Sequence, residues 1–595
     1  MKISNERPLN RKERGDESLH FRQIWRTMNR LSYFALIALA TLSQAIAETV
    51  TVYIGTATGN GDEDSKGIYV AELDTDTGNL TDPKLAGEMT SPGFLAIHPS
   101  RQYLYATSRA QKGGTVQAFA IDSASGTLKP LNSQSCLGNG PCHVSVDPAG
   151  RFAFVANYGD GTATSYKIGE NGSLGAPNLV MMHAGSGPNE SRQKGPHAHS
   201  INASPDGRFA YVADLGIDKV MIYKVDAETG ALTPNDPPFA KVAPGAGPRH
   251  FAFHPGGKQA YLLNELNSTI SVFDFDAKTG ALTEKEIHMT LPDQFQGDNK
   301  TSEILVHPSG KFVYAANRGH NSIAVFSVKP EDGKLIFDEW EPVPGEWPRN
   351  FGIDPTGNFL LIAATNSNNV PVLKIDQKTG TLSDAGVSIA VPKPMCVRFI
   401  RELNESGFQS LFDGKTLEGW KGNTEWFNVE DSAIVAGSKE KKIPHNEFLV
   451  SAEEYENFEI RYEAKITGQG DNAGVQFWSQ RVPDSTEMIG YQADIGSWKG
   501  GQLIWGWLYD ESRRRKMLGG VDSALIKPIV RKDDWNEFII RAEGQHVRIW
   551  LNGLQTLNYT ETAPNIPTKG YFGLQIHSGP PTECAYRNIR VKKLK

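Results

Sequence analysis

The sequence predicts an all-β protein in two parts, a seven-bladed β-propeller followed by a two-sheet jelly-roll sandwich, and three observations carry that prediction. A phrase that reads strand, tight turn, strand returns about every 50 residues between positions 48 and 400, a period that belongs to propeller blades. Its clearest copies are PHAHSINASPDGRFAYVADLG at 196–216, PRHFAFHPGGKQAYLLNEL at 248–266 and SEILVHPSGKFVYAANRG at 302–319, with weaker ones at Pro141, Pro348 and Ser91. A second repeat, most often Asp-x-x-Thr-Gly before a Leu, sets a turn glycine at Gly78, Gly126, Gly172, Gly230, Gly280, Gly333 and Gly380. That makes about seven units, each long enough for four strands. From Gly407 the vocabulary changes to Trp-rich alternating strands without that period.

One unit is split. TVTVYIGT at 49–56 begins with what is elsewhere the second strand, and MCVRFI at 395–400 supplies a lone first strand. Pairing the two closes the ring and removes its free sheet edges. A chain of 595 residues exceeds what one core supports. The polar run RELNES at 401–406 reads as a joint, with 403–406 linking a propeller over 48–402 to a sandwich over 407–595.

The N-terminal stretch breaks the β pattern. Residues 31–47 are apolar, follow Arg26 and Arg30, and finish Ala45-Ile46-Ala47, the small-x-small pattern of a signal-peptidase site. The apolar run is shorter than the roughly 20 residues that span a bilayer. Residues 1–47 therefore read as an N-terminal extension and signal peptide, with a non-cleaved anchor as the alternative and Met28 as an alternative start. The expectation is an exported protein, periplasmic or extracellular, with no stable membrane span after cleavage. Removing 1–47 takes away eight Lys/Arg and four Asp/Glu and moves the formal charge from −7 to −11, a sign that argues against nucleic acid as a partner. Among Cys136, Cys142, Cys396 and Cys584 no pair has metal-ligand spacing with histidines, so no metal or other cofactor is expected. Cys136 and Cys142 flank a Gly/Pro turn and read either as a small-loop disulfide or as two buried thiols.

Chain direction decides which residues of the ring can meet. Each first strand leaves one face, turns at a Pro-x-Gly hairpin on the other, and the second strand returns. His197, His199, Arg249, His250, Glu303 and Arg349, at the starts of first strands, therefore share one mouth with Asn157, Asp214, Asn264, Glu265, Asn317, Arg318 and His320 at the ends of second strands. His98, His254 and His307 lie on the opposite, Pro-x-Gly side and are explained by the repeat as turn packing. A propeller has no structural need for an acid, several bases and several guanidiniums about its axis, so the mouth is the candidate site.

GPHAHS, PDGRFAYVADLG, GPRHFAFHP, YLLNEL and NRGHNSIAVF closely resemble the bacterial propeller-type 6-phosphogluconolactonase (lactonase) family, over nearly all of 49–400. The resemblance implies a metal-independent seven-bladed propeller, related to fungal carboxymuconate lactonising enzymes, with a His, Glu and Arg set at this mouth. Carried over by motif, that set falls on His199, Arg249, Glu265 and Arg318. Lactone hydrolysis needs a base to activate water and donors to hold an oxyanion. Glu265 or His199 reads as the base and Arg249 and Arg318 as clamps, with His197, Asp214, His250, Asn317 and Arg349 as substrate-binding residues. On that reading Glu265→Gln removes activity with little loss of folding. The structural alternative is a ring of Arg–carboxylate pairs that stabilises the channel. The polar insertion at 182–195, with Arg192 and Lys194, reads as a lid or as solvated surface. The family's phosphorylated lactone is cytosolic, so the export pattern leaves the phosphate open and the lactone in place.

In the second part, GFQSLFDGKTLEGWKG from Gly407, FEIRYEAKI, NAGVQFW, GYQADIG, WLNG and YFGLQIHSGPPTECAYRNIRVKKL resemble the 3-keto-disaccharide hydrolase family. That resemblance implies a concanavalin-like jelly roll and, for some members, cleavage of glycosides oxidised at carbon three. Residues two apart share a strand face, which pairs Gln476 with Trp478, Gln492 with Asp494 and Gln575 with His577. A polar file with aromatics suits a sugar. Gln476, Gln492, Gln575 and Trp505 read as substrate-binding, with Trp507, Tyr509 and Arg513 at the rim. His577 and Asp494, with Glu583 behind them, are the acid and base candidates; a 3-keto group also acidifies its neighbouring C–H and permits elimination followed by hydration. The plainer alternative has the tryptophans in the core and the glutamines in solvent.

The expected protein is an exported carbohydrate-processing hydrolase whose partner is a small-molecule sugar lactone or oxidised glycoside. The rival expectation is a non-catalytic surface carbohydrate-binding protein built on a propeller scaffold. Nothing in the sequence specifies an oligomeric state.

Overall fold

The computed structural model describes residues 49–58, 65–109, 113–400, 407–527 and 529–594. The signal peptide expected over 1–47 and the linker expected over 403–406 lie outside the described residues. Among the described residues, 49–400 form seven small antiparallel sheets. Six use consecutive strands, as in Pro248–Phe253, Gln259–Asn264, Thr269–Phe275 and Leu282–Met289. The seventh is assembled from both ends of the region: Pro394–Ile400 pairs with Thr49–Thr56, with Thr51 opposite Ile400 and Tyr53 opposite Arg398. Each innermost strand touches the next all the way round, and Pro394–Ile400 sits between Pro348–Ile353 and Pro92–Ile97. The ring is closed by ladder hydrogen bonds within this seventh sheet, which joins the two ends of the region in one blade.

The two sequence repeats are bonded to each other across blades. Tyr53, Tyr105, Tyr211, Tyr261 and Tyr314, all on second strands, donate their O–H to the carbonyls of the turn glycines Gly126, Gly172, Gly280, Gly333 and Gly380 of the following blade, at 2.8–3.0 Å. Gly380 shows why the turn needs glycine: its φ is 76°, and a Cβ there would stand 2.2 Å from Phe312 Cδ1. On the same face the Nε2–H groups of His98, His254 and His307 donate to the carbonyls of Gly150, Gly310 and Gly357, again in the following blade, at 2.8–2.9 Å. These histidines are turn-packing residues, as the repeat implies.

The mouth is shaped by a different repeated feature. Every first strand carries a β-bulge near its start, where the ladder skips one residue between Pro92 and Phe94, Pro141 and His143, Ala198 and Ser200, Pro248 and His250, Pro348 and Asn350, and Pro394 and Cys396, and two, Ser302 and Glu303, between Thr301 and Ile304. The extra, unpaired residue bends its strand and re-aims its side chain. Six of these residues, Gly93, Cys142, His199, Arg249, Arg349 and Met395, line one cavity.

Residues 407–594 form two antiparallel sheets packed face to face as a jelly-roll sandwich. One sheet runs Trp420–Lys421, Glu447–Ser451, Tyr571–Ile576, Asn472–Arg481, Met488–Trp498, Leu508–Glu511, Lys516–Gly519. The other centres on Thr582–Lys593, Phe458–Gly468 and Asn536–Glu543. Between them lies an apolar layer that includes Ile460, Tyr462, Val475, Phe477, Phe538 and Leu574. The second sheet rests on the Pro-x-Gly face of the ring, away from the mouth, where Arg101 Nη2 pairs with Glu537 Oε2 at 2.5 Å. Cys136 and Cys142 are separate buried thiols and form no disulfide; burial pushes the Cys136 thiol up to about 12. No helix among the described residues is long and apolar enough to cross a membrane.

Removing one cross-blade bond tests this architecture. Tyr314→Phe strands the Gly380 carbonyl and should cost about 1–3 kcal/mol. Gly380→Ala adds a strained backbone, itself worth about 1–3 kcal/mol, and the clash with Phe312. Urea unfolding followed by tyrosine and tryptophan fluorescence should rank the midpoints wild type, Tyr314→Phe, Gly380→Ala, and a Gly380→Ala midpoint equal to wild type would contradict the packing described.

Candidate active site

The cavity at the mouth has a volume of about 570 Å³, and its polar lining includes Arg109, His199, Arg249, His250, Arg349 and Asn350. Three guanidiniums and two imidazoles thus converge on one space, from first strands bent by their bulges and from Arg109, which follows the strand Tyr103–Ser108.

Behind the cavity wall stands Glu265, one residue beyond the strand Gln259–Asn264. Its Oε2 accepts from Arg249 Nη1 at 2.6 Å and Arg318 Nη2 at 3.0 Å, and its Oε1 from Arg192 Nη2 at 2.7 Å. Arg192 belongs to the 182–195 insertion and also donates to the Tyr158 hydroxyl at 3.0 Å, so the insertion is fastened across the mouth. Burial alone would raise the Glu265 carboxyl, but Arg249, Arg318 and Arg192 outweigh it and hold the group far below the usual carboxylate range. Burial, with Arg249 alongside, pushes the Arg318 guanidinium down, and Arg318 further donates to the Thr301 carbonyl at 2.8 Å and lies over the Trp347 ring.

Arg249 also donates to His199 Nε2 and, through Nε, to the Ser302 carbonyl at 2.7 Å. His199 is therefore the Nδ1–H tautomer, and that Nδ1 is buried without a hydrogen-bond partner. Burial and the Arg249 charge push His199 well below its ordinary value. Both expected bases are thus occupied: the carboxylate by three cations, the imidazole lone pair by one.

The structure brings His199, Arg249, Glu265 and Arg318 into one bonded cluster, with His250 and Arg349 on the same cavity. Three expected substrate contacts, Asp214, Asn317 and His197, do not line it. Asp214 accepts from His183 Nδ1 at 2.6 Å and from the backbone N–H groups of His197 and Gly216, while Asn317 exchanges hydrogen bonds with Thr290 at 2.8 Å. Both shape loops. His197 stacks on Tyr158 and bonds that residue's carbonyl at 2.7 Å, outside the cavity lining. Arg349 makes no ion pair among the described residues; burial, with Arg249 and Arg109 nearby, lowers it to about 9. Arg109 and Asn350 went unnoticed in the sequence. Arg109 follows its second strand as Glu265 follows its own, and Asn350 matches His250 in the repeat, so aligning the units position by position would have found both.

On the outer face of the first sandwich sheet, Gln492 Nε2 donates to Asp494 Oδ1 at 2.8 Å and Gln575 Oε1 at 3.0 Å, with Gln476 alongside. These glutamines are buried, not solvated. Gln476 Oε1, Asp494 Oδ2 and Gln575 Nε2 have no hydrogen-bond partner. Burial pushes the Asp494 carboxyl well up. His577 ends this file, with Nδ1 bonded to the Ser578 carbonyl. The sequence missed Glu511, which pairs opposite Gly490 and is raised by burial and the Glu487 charge while His577 opposes. Trp505 is corrected from the sugar face to the core, 3% exposed and stacked on Phe538, because the turn at Gly506 places it between the sheets. Trp507 donates to the Val521 carbonyl, Arg513 pairs with Asp510, and Tyr509 packs on Trp498. Glu583 lies on the other sheet, paired with Lys439 at 2.8 Å. Among the described residues no three His, Cys, Asp or Glu side chains gather as a metal site.

A closed seven-bladed ring with a cationic mouth defines a β-propeller with a polar central cavity, and comparison with known proteins gives the family. Residues 51–399 match the family model described as lactonase, 7-bladed beta-propeller, and residues 407–592 match a 3-keto-alpha-glucoside-1,2-lyase-like domain. The chain belongs to this lactonase family and carries that second domain after the ring. It is 40% identical over 351 residues to a 6-phosphogluconolactonase of Bacillus subtilis, covering 59% of this chain and 98% of that one. It is 34% identical over 321 residues to a 6-phosphogluconolactonase of Formosa agariphila, covering 53% and 90%. Among solved structures it is similar to the periplasmic gluconolactonase of Pseudomonas aeruginosa, with 30% identity, a TM-score of 0.57, and 59% and 99% of the two chains covered.

The three cations on Glu265 change what Glu265→Gln should do. The variant leaves buried guanidiniums without their counter-charge, so a loss of about 3–5 kcal/mol at pH 7 is expected. Because the folded-state pKa is depressed, the carboxylate's contribution is present above the unfolded value near 4.5 and lost as pH falls toward the folded one. Urea unfolding of both proteins should show the gap narrowing below about pH 4.5.

Proposed function

We propose that the protein is an exported hydrolase that opens a sugar lactone at the propeller mouth and acts on a 3-keto-glycoside at the sandwich. The observation that carries the first activity is the cavity itself: Arg109, Arg249 and Arg349 line it, and the carboxylates behind its wall, Glu265 and Glu303, are already committed to Arg249, Arg318 and Arg192 and to His250 and Asn350. Such a space suits an anionic sugar lactone and the oxyanion that forms when water adds to its carbonyl. The names of the Bacillus and Pseudomonas relatives support lactone hydrolysis, one with a phosphorylated sugar and one without. Export is supported by the 31–47 pattern and by the periplasmic description of the Pseudomonas protein. The sandwich core contains no propeller residue, which supports a division near 401–406 into separately folding parts.

A second reading concerns the sandwich. A row of buried amides and a carboxyl with three unpartnered polar atoms, beside His577 and Glu511, offers hydrogen bonds to sugar hydroxyls and an acid–base pair for elimination or hydrolysis.

Purified full-length protein, assayed by pH-stat against the spontaneous rate, should accelerate opening of 6-phosphogluconolactone or gluconolactone; no acceleration of either would favour the non-catalytic scaffold. The mass of the exported protein should begin at Glu48. For the sandwich, His577→Ala and Asp494→Asn should each lower 3-keto-glycoside turnover by about 10²-fold or more and leave lactone opening unchanged. Wild-type stability falls as pH rises from the unfolded carboxyl value through the raised folded value of Asp494. Asp494→Asn, neutral at every pH, should flatten that fall in melting curves recorded from pH 4 to 8.

A further inference from the structure

The mouth contains a second acid–imidazole pair whose lone pair is not spent. His250 Nδ1 meets Glu303 Oε1 at 2.6 Å. Glu303 Oε2 accepts from Asn350 Nδ2, and Asn350 Oδ1 accepts from the backbone N–H of Val397 at 2.8 Å. The relay crosses the first strands of three successive blades and ends on the strand that closes the ring. His250, Glu303 and Asn350 are all buried. A carboxylate only accepts, so Nδ1 of His250 carries the proton and Nε2 presents its lone pair. His250 lines the cavity, and Nε2 makes no hydrogen bond to the described residues. His199 and Glu265, as described above, are both capped by arginines.

We propose that His250 is the general base of the propeller mouth, positioned by Glu303 and Asn350. This rests on the lactonase reading and departs from a base at Glu265 or His199. His250 Nε2 takes a proton from water as the water oxygen bonds to the lactone carbonyl carbon. The carbonyl oxygen becomes an oxyanion facing the Arg349 and Arg249 guanidiniums. Collapse re-forms the carbonyl and breaks the ring C–O bond, and the Nε2 proton passes to the departing ring oxygen. One lactone and one water give one hydroxy acid, which loses its carboxyl proton to solvent. Glu303 stabilises the transient imidazolium, and Asn350 holds Glu303 in line.

The groups that face His250 are Glu303 and Asn350 from the following blades, Arg398 from the closing strand, Arg249 on its own strand, His199 and His143 from preceding blades, and the Phe94 ring. Burial lowers the imidazole, Glu303 opposes, and Arg249 and Arg398 add to the lowering, so His250 stays below its ordinary value and unprotonated at neutral pH.

The test uses the full chain, whichever of 6-phosphogluconolactone or gluconolactone it opens, and three readouts: the split between kcat and KM, the pH profile, and the melting midpoint. His250→Gln should lower kcat by about 10²–10⁴-fold, with KM within about 3-fold. Glu303→Gln keeps the shape and an acceptor but removes the charge that raises His250. Its acid limb in kcat/KM should therefore move to lower pH and its plateau should fall, a change that a purely structural role would not produce. A folded His250→Gln protein that keeps kcat within about 3-fold, or an acid limb unmoved by Glu303→Gln, overturns the proposal. Imidazole ¹H–¹⁵N NMR of wild type, with His250→Gln to assign the signal, should show His250 as the Nδ1–H tautomer; an Nε2–H tautomer overturns the dyad even if no lactone is turned over. Absence of turnover with the Nδ1–H tautomer present would instead count against the lactonase reading alone.

Discussion

The ladder between Pro394–Ile400 and Thr49–Thr56 is the constraint on which the rest of the ring depends. Bringing together strands some 340 residues apart costs on the order of 5 kcal/mol in chain entropy, and that pairing is what turns a row of blades into a closed channel. The same strand serves the mouth. The Val397 N–H anchors Asn350, Arg398 lies over the Phe94 ring and donates to the Leu95 carbonyl, and Met395 lines the cavity. Closure and site geometry are therefore one event, and a looser ring would lose the relay through Glu303 and leave the edge of Thr49–Thr56 unpaired.

Within that ring, buried charge is spent unevenly. A buried ion pair carries a desolvation penalty of several kcal/mol per ion, recovered only by good geometry. The Glu265 cluster recovers it with three cations on one carboxylate, and in doing so fixes Arg249 and ties the 182–195 insertion across the mouth through Arg192. Arg349 makes no ion pair among the described residues, and burial, with Arg249 and Arg109 beside it, disfavours its charged form. The result is a mouth one or more negative charges short, a condition that a bound anion or a developing oxyanion relieves.

The sandwich solves a different problem. Its apolar layer resembles any two-sheet core, but the outer face of one sheet holds amides and a carboxyl away from water with three polar atoms unsatisfied. Such groups destabilise a resting fold unless something binds them. Docking through the opposite sheet, onto the Pro-x-Gly face of the ring, keeps that face and the propeller mouth apart.

The sequence by itself determined the blade count, the split closing unit, the two-sheet C-terminal part and the face on which His199, Arg249, Glu265 and Arg318 meet. All of these follow from local periods of two and about 50 residues and from chain direction. Only the tertiary structure decided how those residues pair. Arg192 reaches Glu265 from an insertion 73 residues away, and Arg249 caps His199 from 50 residues away. Asp214 turned to His183, and Trp505 to Phe538, for the same reason: neighbours in adjoining blades and facing sheets are set by packing. The bulge in every first strand is the plainest case. One or two unpaired residues per strand leave the repeat intact in the sequence, yet they turn Cys142, His199, Arg249 and Arg349 toward a common cavity, because a bulge is a relation between two strands and exists only once they have paired.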